Sequence, residues 1–303
     1  LKTYEHPSVL EYESIVNNML SGKGFVYDFL NTPYRSFCNP MYAWITFGVY
    51  KLTGHSYVLF TRRGNASIRL ALKLAKSLGY NKVLLQDQGG WMTYRQFCDK
   101  EKLSAAELKT IHGVVSPDEL NHHPNCVLLI NSMPAYSFHQ DMSEIENACK
   151  EKNIFLINDV SGSIGTDSAK HGDVCLGSFG LDKPVNLGDG GFISTNKKFF
   201  FEFLEKNNTE TEISFEALLL RLKGLNKRLD DLKTIKNKFI RILESNEFAP
   251  NILNKEEKGI NIIVKYDSDF EKEKLIKLGE REGIEHTLCP RDIRVWERAV
   301  CFE

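Results

Sequence analysis

The chain has 303 residues, of which 42% are hydrophobic and 26% are charged, and its formal net charge is −1. This length allows one large domain and a small one, and the near-zero charge gives no broad attraction to nucleic acid or to an anionic membrane. No stretch approaches the roughly 18 apolar residues of a membrane span, and the start lacks a secretory signal. The cysteines are scattered and form no CxxC pair, so no zinc site is expected. We therefore expect a cytoplasmic protein with reduced cysteines.

Strand-like and helix-like segments alternate through the first two thirds of the chain. Apolar runs predict strands at 57–60, 82–85, 110–115, 126–130, 154–157, 173–179 and 191–195. Helical spacing predicts helices at 65–78 and 142–152, the second with Ser143 as its N-cap. Continuous apolar strands separated by helices predict a mostly parallel sheet covered on both faces.

The composition changes near residue 197. A charged, helix-prone stretch at 197–247 predicts paired helices, and a strand at 259–265, a helix at 270–282 and a strand at 285–295 follow. The predicted fold class is therefore α/β. We expect a large domain with a mostly parallel central sheet at 1–205, and connecting helices with a small C-terminal α/β domain at 206–303.

Lys183 and Asp159 are the candidate catalytic residues. Asp159 stands near the end of an apolar run, and Lys183 lies further along the chain before a cluster of glycines. A lysine amine can hold pyridoxal phosphate as a Schiff base, and a carboxylate can keep the pyridine nitrogen protonated so that the ring accepts electrons. The pair suggests a pyridoxal 5'-phosphate site, although most lysines are solvated surface charges.

The surroundings of Lys183 carry a longer pattern. Its members are Gly172-Asp173, Ser178-Phe179, Lys183 and Gly188-Asp189-Gly190-Gly191. This pattern resembles the aspartate-aminotransferase-like (fold type I) pyridoxal-phosphate enzymes, most closely the DegT-type sugar aminotransferases. The resemblance covers roughly residues 55 to 200. It implies pyridoxal phosphate as the cofactor and transamination as the reaction.

Three positions depart from the family pattern. Gly180 stands where the family usually has a histidine, Pro184 replaces an asparagine after the lysine, and Gly162 replaces a glutamine after the aspartate. The resemblance therefore implies cofactor binding and leaves the sugar substrate open.

The cofactor phosphate has two candidate sites. Gly64, Asn65 and Ala66 lie between an apolar run and a helical pattern, where backbone N–H groups can cradle a phosphate. The family has a Gly-Thr-Ala turn here, although Asn65 could instead be an ordinary helix N-cap. Ser178 is the second phosphate candidate, because the family places a serine at this distance before its lysine.

Two further positions are expected beside the cofactor ring. The family has an aromatic side chain stacked on the ring after the second strand, which predicts Trp91, with Tyr94 in reserve. A loop aromatic that packs only on its own domain is equally consistent with the pattern. Ser161 follows Asp159 and could bond the ring hydroxyl or the carboxylate, or act as a turn residue.

Two arginines near the end of the chain are candidate substrate anchors. In many similar enzymes an arginine of the small domain binds the substrate carboxylate, and bidentate guanidinium geometry suits that task. The two should face opposite sides of a strand, and Arg294 is preferred over Arg291 because it follows Ile293 in the more apolar part of the run. Exposed edge-strand arginines remain the alternative. Tyr34 and Arg35 are the next candidates. The histidines show no metal-ligand spacing, so no metal site is expected.

We therefore expect an aminotransferase for a small amino donor and a small acceptor. A lyase or a sulfur- or selenium-transfer enzyme of the same fold, a non-catalytic relative that acts as a binding protein, and an unrelated α/β protein remain alternatives. Fold relatives build the site from two chains, and the aromatic-rich stretch at 27–50 could reach a neighbour, so a homodimer is expected.

Overall fold

The computed structural model describes residues 40–209, 213–290 and 293–303. The helices are α1 Pro40–Thr53, α2 Gly64–Ser77, α3 Tyr94–Lys100, α4 Met142–Glu151, α5 Lys198–Asn207, α6 Phe215–Lys223, α7 Leu225–Ser245 and α8 Asp269–Glu282. The strands are β1 Tyr57–Thr61, β2 Lys82–Gln86, β3 Ser104–Leu108, β4 Val127–Asn131, β5 Phe155–Asp159, β6 Val174–Ser178, β7 Gly191–Thr195, β8 Ile262–Lys265, β9 His286–Cys289 and β10 Ala299–Phe302.

Strands β1 to β7 form one sheet in the order β1-β7-β6-β5-β4-β2-β3. Strands β2 to β6 pair in parallel, whereas β7 is antiparallel to both of its neighbours, β1 and β6. The predicted mostly parallel sheet is therefore confirmed. Every residue of β4, β5 and β7 is buried, as expected for strands covered on both faces.

Helices cover the two faces of this sheet, and alternate strand residues serve different helices. In β4, Val127 and Leu129 pack in a cluster with α2, while Leu128 and Ile130 pack in a cluster with α4. Apolar spacing along α2 places Ile68, Ala71 and Leu74 on the buried side of that helix. The carboxyl ends of the strands, which lie between these two helix layers, form the edge where open α/β folds bind ligands.

Two local predictions in the large domain are wrong. The third strand is Ser104–Leu108 instead of 110–115, where the chain turns at His112 and Gly113 with positive φ and leaves Ile111 77% exposed. Strand β3 lies at the sheet edge, which explains its weakly apolar sequence. The N-cap of α4 is Asp141, whose side chain accepts hydrogen bonds from the backbone N–H groups of Ser143 and Glu144.

The C-terminal part contains a three-stranded antiparallel sheet in the order β8-β10-β9, with α8 packed against it. The predicted strand at 285–295 is wrong in extent, because β9 ends at Cys289 and proline follows. Strand β10 was not predicted. Arg294 therefore lies in the loop between β9 and β10. The prediction that Arg294 lies on a strand, on the side opposite to Arg291, is wrong.

The segment that leads into the three-stranded sheet is bonded to Tyr136, which follows β4 of the large sheet. The backbone N–H groups of Ile260 and Asn261 both donate to the Tyr136 carbonyl, at 2.8 and 3.0 Å. At Gly259 an added Cβ would lie 2.3 Å from the backbone of Ser137, so only glycine allows this approach.

The predicted domain boundary at 205/206 falls inside α5 and stays a prediction. Among the described residues, no helix is long and apolar enough to span a bilayer.

Candidate active site

A cavity of about 670 Å³ lies between the carboxyl edge of the large sheet and residues of the C-terminal part of the chain. Its walls combine residues that follow several strands with residues of the C-terminal part. They include Gly64, Asn65, Trp91, Tyr136, Asp159, Ser161, Ser178, Lys183, Arg228, Glu285, Arg294 and Glu303. The predicted cofactor residues, apart from Ala66, thus surround one cavity.

Asp159 is the last residue of β5 and is held by two hydrogen bonds. It is 4% exposed; its Oδ2 accepts from the Tyr94 hydroxyl at 2.6 Å and its Oδ1 from the Ser161 backbone N–H at 2.9 Å. Burial, with the Asp159 charge adding to it, raises the pKa of Tyr94 well above its ordinary value. Tyr94 therefore stays a donor and fixes the carboxylate, which still needs a cationic partner in this buried position.

Lys183 lies in the loop between β6 and β7. This loop folds back on the Phe179 carbonyl, which accepts from the backbone N–H groups of Leu187 and Gly188. The Lys183 Nζ is 4.4 Å from the Tyr136 ring centroid and 5.3 Å from the Trp91 ring. Burial lowers the pKa of Lys183, against the opposing attraction of Asp159. A lowered pKa favours the neutral amine, which is the nucleophilic form.

The start of α2 forms a tight backbone cradle. Arg63 occupies the N-cap position with extended backbone and no side-chain cap. An added Cβ on Gly64 would lie 2.8 Å from the Ser178 Cβ, so glycine lets the helix approach the end of β6. The first N–H groups of a helix lack intrahelical partners and attract anions. The Ala66 N–H already donates to the Arg63 carbonyl at 2.9 Å.

Asn65 and Trp91 are bonded to each other. The Asn65 Oδ1 accepts from Trp91 Nε1 at 2.9 Å and from Thr93 Oγ1 at 3.2 Å. Asn65 therefore does not cap α2, and its side chain instead fixes the Trp91 indole on the cavity wall. Tyr94, the reserve for ring stacking, instead bonds Asp159 beneath that wall.

Ser161 and Ser178 join the aspartate loop to the end of β6. The Ser178 backbone N–H donates to Ser161 Oγ at 2.9 Å, and Ser178 Oγ accepts from the Gly180 N–H at 3.2 Å. Both serines line the cavity. Their contacts order the segment that leads from β6 to Lys183.

Arg294 lines the cavity but is already paired. It is 3% exposed, and its Nη2 lies 2.5 Å from Glu303 Oε1. Its Nε donates to Thr287 Oγ1 and its Nη1 to the Ile293 carbonyl. Arg291, Tyr34 and Arg35 lie outside the described residues.

Tyr136 was not predicted as a site residue. Its ring is buried beside Gly162, where an added Cβ would lie 2.3 Å from Tyr136 Cδ1. The tyrosine therefore fills the space next to the glycine that replaces the family's glutamine. One signal was present in the sequence, because Tyr136 follows β4, the parallel neighbour of the strand that carries Asp159.

Arg228 reaches the cavity from α7, and its buried Nε has no hydrogen-bond partner in the part of the chain that the structure describes. The same residues contain no group of histidine, cysteine, aspartate or glutamate side chains that could hold a metal ion.

Comparison with known proteins gives a likeness of fold. No protein-family model matches the sequence, and no curated protein matches it. A DegT DnrJ EryC1 StrS aminotransferase from Brucella abortus superposes with a TM-score of 0.68 at 13% identity, over 99% of this chain and 93% of that one.

Two further solved structures agree with the first. Ntda from Bacillus subtilis, with bound cofactor PMP, gives a TM-score of 0.67 at 16% identity, over 94% of this chain and 78% of that one. Helicobacter pylori PseC, an aminotransferase involved in the biosynthesis of pseudoaminic acid, gives 0.67 at 13% identity, over 92% and 90%. The chain has the fold of the DegT-type, fold type I aminotransferases, as the resemblance implied.

Proposed function

We propose that the protein is a pyridoxal-phosphate-dependent aminotransferase acting on a small amino donor and a small acceptor. The observation that carries this proposal is the meeting of Lys183 and Asp159 in one cavity that also contains the Gly64 cradle. The aminotransferase structures that share the fold support it.

The residues of the cavity fit the groups of this cofactor. The start of α2 offers backbone N–H groups to a phosphate, and the unpartnered Nε of Arg228 is a further donor for an anion. Asp159 suits a protonated ring nitrogen, since a buried carboxylate requires a cation. Trp91 offers a flat apolar face to an aromatic ring.

The chain's own residues divide the work of the reaction. When bound, the cofactor supplies a ring that accepts the electrons released at the substrate carbon. Lys183 would hold the cofactor through Nζ, and the same amine would move a proton at the substrate carbon. Asp159 holds the proton at the ring nitrogen, and Tyr94 and Ser161 hold Asp159 in place. Trp91 and Tyr136 keep water from the Lys183 amine.

A sulfur-transfer reaction is disfavoured by the cysteines in the described part of the chain. All six of them are buried and none lines the cavity. Burial raises the pKa of Cys98 and Cys149 to about 12 and that of Cys126 to about 11. The thiolate needed for sulfur transfer is therefore scarce at neutral pH.

We also propose that the protein is a cytoplasmic homodimer. Leu181 lines the cavity and is 67% exposed, so it offers an apolar side chain beside the site to a second copy of the chain. The described part of the aromatic stretch gives no such support, because Trp44 and Phe47 are buried within their own chain. Free, buried cysteines fit a reducing compartment.

The experiment that tests the proposed function maps the cofactor onto the chain. Purified protein incubated with pyridoxal phosphate should show a visible absorbance band that borohydride removes, and mass spectrometry should place the reduced adduct on Lys183. Addition of small amino donors should then convert the cofactor to its amine form and shift the band.

Two variants control this experiment. Lys183→Ala should lose the adduct, whereas Lys206→Ala, which removes an exposed lysine on α5 outside the cavity, should keep it. An undiminished adduct in Lys183→Ala would contradict the assignment of the cofactor lysine.

A further inference from the structure

The geometry points to Glu303 as an internal competitor for a substrate carboxylate at Arg294. The inference rests on the proposed function, because it takes the cavity to receive an amino donor that bears a carboxylate. It concerns three side chains, Arg294, Thr287 and Glu303, which we call the arginine cluster.

Within the arginine cluster every nitrogen of the guanidinium has a partner. Nη2 pairs with Glu303 Oε1 at 2.5 Å, Nε donates to Thr287 Oγ1 at 3.3 Å, and Nη1 donates to the Ile293 carbonyl at 3.2 Å. Thr287 Oγ1 in turn donates to the same Glu303 oxygen at 2.7 Å. A carboxylate that approaches from the cavity therefore meets a guanidinium whose charge is already neutralised by a carboxylate.

The two charged members of the cluster differ in their freedom to move. Arg294 is buried, and its carbonyl accepts from the backbone N–H of Gly89 in the large domain at 3.0 Å. The Glu303 side chain is 23% exposed, while its backbone N–H is bonded to the Glu285 carbonyl. An exchange of carboxylates at Arg294 therefore moves the Glu303 side chain into solvent and leaves the guanidinium in place.

This exchange has a consequence for affinity and for the resting state. An incoming carboxylate replaces a charge-assisted pair that is already formed, so it gains only the difference between the two pairs. When the ligand leaves, Glu303 returns, and the buried guanidinium is never left without a counter-charge. Glu303 thus sets how tightly the cavity holds any ligand that depends on Arg294.

The test measures glutarate binding, because glutarate has carboxylates but no amine and cannot react. Isothermal titration calorimetry on the pyridoxal-phosphate-loaded protein compares wild type with Glu303→Gln. The variant removes the competing charge and should bind glutarate on the order of ten- to a hundredfold more tightly, the scale of one charge-assisted hydrogen bond. Equal or weaker binding in Glu303→Gln would overturn the inference.

Matched variants separate the cluster from a general change of charge. Glu285→Gln removes a carboxylate that lines the same cavity but is no partner of Arg294, and should change the glutarate affinity by about fivefold at most. Arg294→Lys combined with Glu303→Gln should lose the gain, because the guanidinium fork is gone. An equal gain of glutarate affinity in Glu285→Gln would show that the effect comes from net charge and would overturn the role of Glu303.

A second route covers the case in which Glu303→Gln folds poorly. Glu303→Asp keeps the charge but shortens the side chain, so the pair with Nη2 is weakened and glutarate should again bind more tightly than to wild type. The visible band of the loaded protein is recorded first in every variant. A missing band in wild type would count against the proposed function, whereas a normal band with unchanged glutarate affinity would count against Glu303.

Discussion

The Lys183 amine lies where its charged form is disfavoured, and this has a cost for folding. Because burial lowers its pKa in the folded state, the unfolded chain binds more protons between the folded-state pKa and the ordinary value of 10.5. The free energy of unfolding therefore rises with pH through that window. Below the folded-state pKa of Lys183, the full cost of burying the charged amine remains. The amine is kept reactive at the expense of the stability of the cofactor-free protein.

Lys183→Met should accordingly stabilise the cofactor-free protein. The free energy of unfolding, measured by urea denaturation, should rise relative to wild type near neutral pH, and the difference should shrink above pH 10.5. Lys206→Met, at an exposed position of α5, should show no such pH-dependent difference. A variant that is less stable than wild type near neutral pH would contradict this account of Lys183.

Asp159 permits a prediction that separates binding from catalysis. Asp159→Asn keeps the size of the side chain and its contact with Ser161 but cannot hold the ring nitrogen protonated. Cofactor should still bind, while turnover should fall on the order of a hundredfold or more, the scale of a preorganised electrostatic contact. Steady-state kinetics with Asp167→Asn, an exposed carboxylate outside the cavity, provide the control. Near-normal turnover in Asp159→Asn would exclude Asp159 as the ring partner.

At the scale of the element, the start of α2 depends on one missing side chain. Gly64→Ala would place a Cβ 2.8 Å from the Ser178 Cβ and push the helix away from β6. Cofactor affinity, followed by the visible band during titration, should fall by about tenfold or more. Gly224→Ala, where the Cβ has ordinary contacts between α6 and α7, should leave the affinity unchanged. Equal cofactor affinities in the two variants would show that the phosphate does not bind at this helix start.

The elements that the sequence predicted well are those with continuous burial. Strands β4 and β5 are buried along their whole length and were predicted within a residue or two. Strand β3 was missed because an edge strand pairs on one side only and needs few large apolar residues. The apolar residues at 114–115 misled the prediction, since Val115 is buried although it lies outside any strand.

Candidate site residues could be named from the sequence where one residue type suits one chemical task, and their roles stay predictions. Lys183, Asp159 and the Gly64 turn stand in a fixed order along the chain and lie together in the structure. The pairing of Arg294 with Glu303, which is nine residues away, and the packing of Tyr136 on Gly162 follow neither helix nor strand spacing, so no local pattern predicts these contacts.

At the scale of the whole molecule, the proposed homodimer can be tested at Leu181, which lines the cavity and is 67% exposed. Sedimentation at micromolar concentration should show a dimer, and Leu181→Asp should raise the dimer dissociation constant by about tenfold or more, because a charge would enter an apolar contact. Phe270→Asp, at an exposed residue of α8, should leave the dimer intact. A monomer at these concentrations in wild type would refute the homodimer.

Tyr136 serves both the domain contact and the lysine. Its carbonyl receives the two N–H groups that dock the small sheet, and its ring lies 4.4 Å from the Lys183 amine. One residue therefore makes both the backbone contact with the C-terminal sheet and the ring contact with the Lys183 amine. The wall of the cavity beside Lys183 and the contact between the two sheets thus share a single residue, through its side chain in the first case and its backbone in the second.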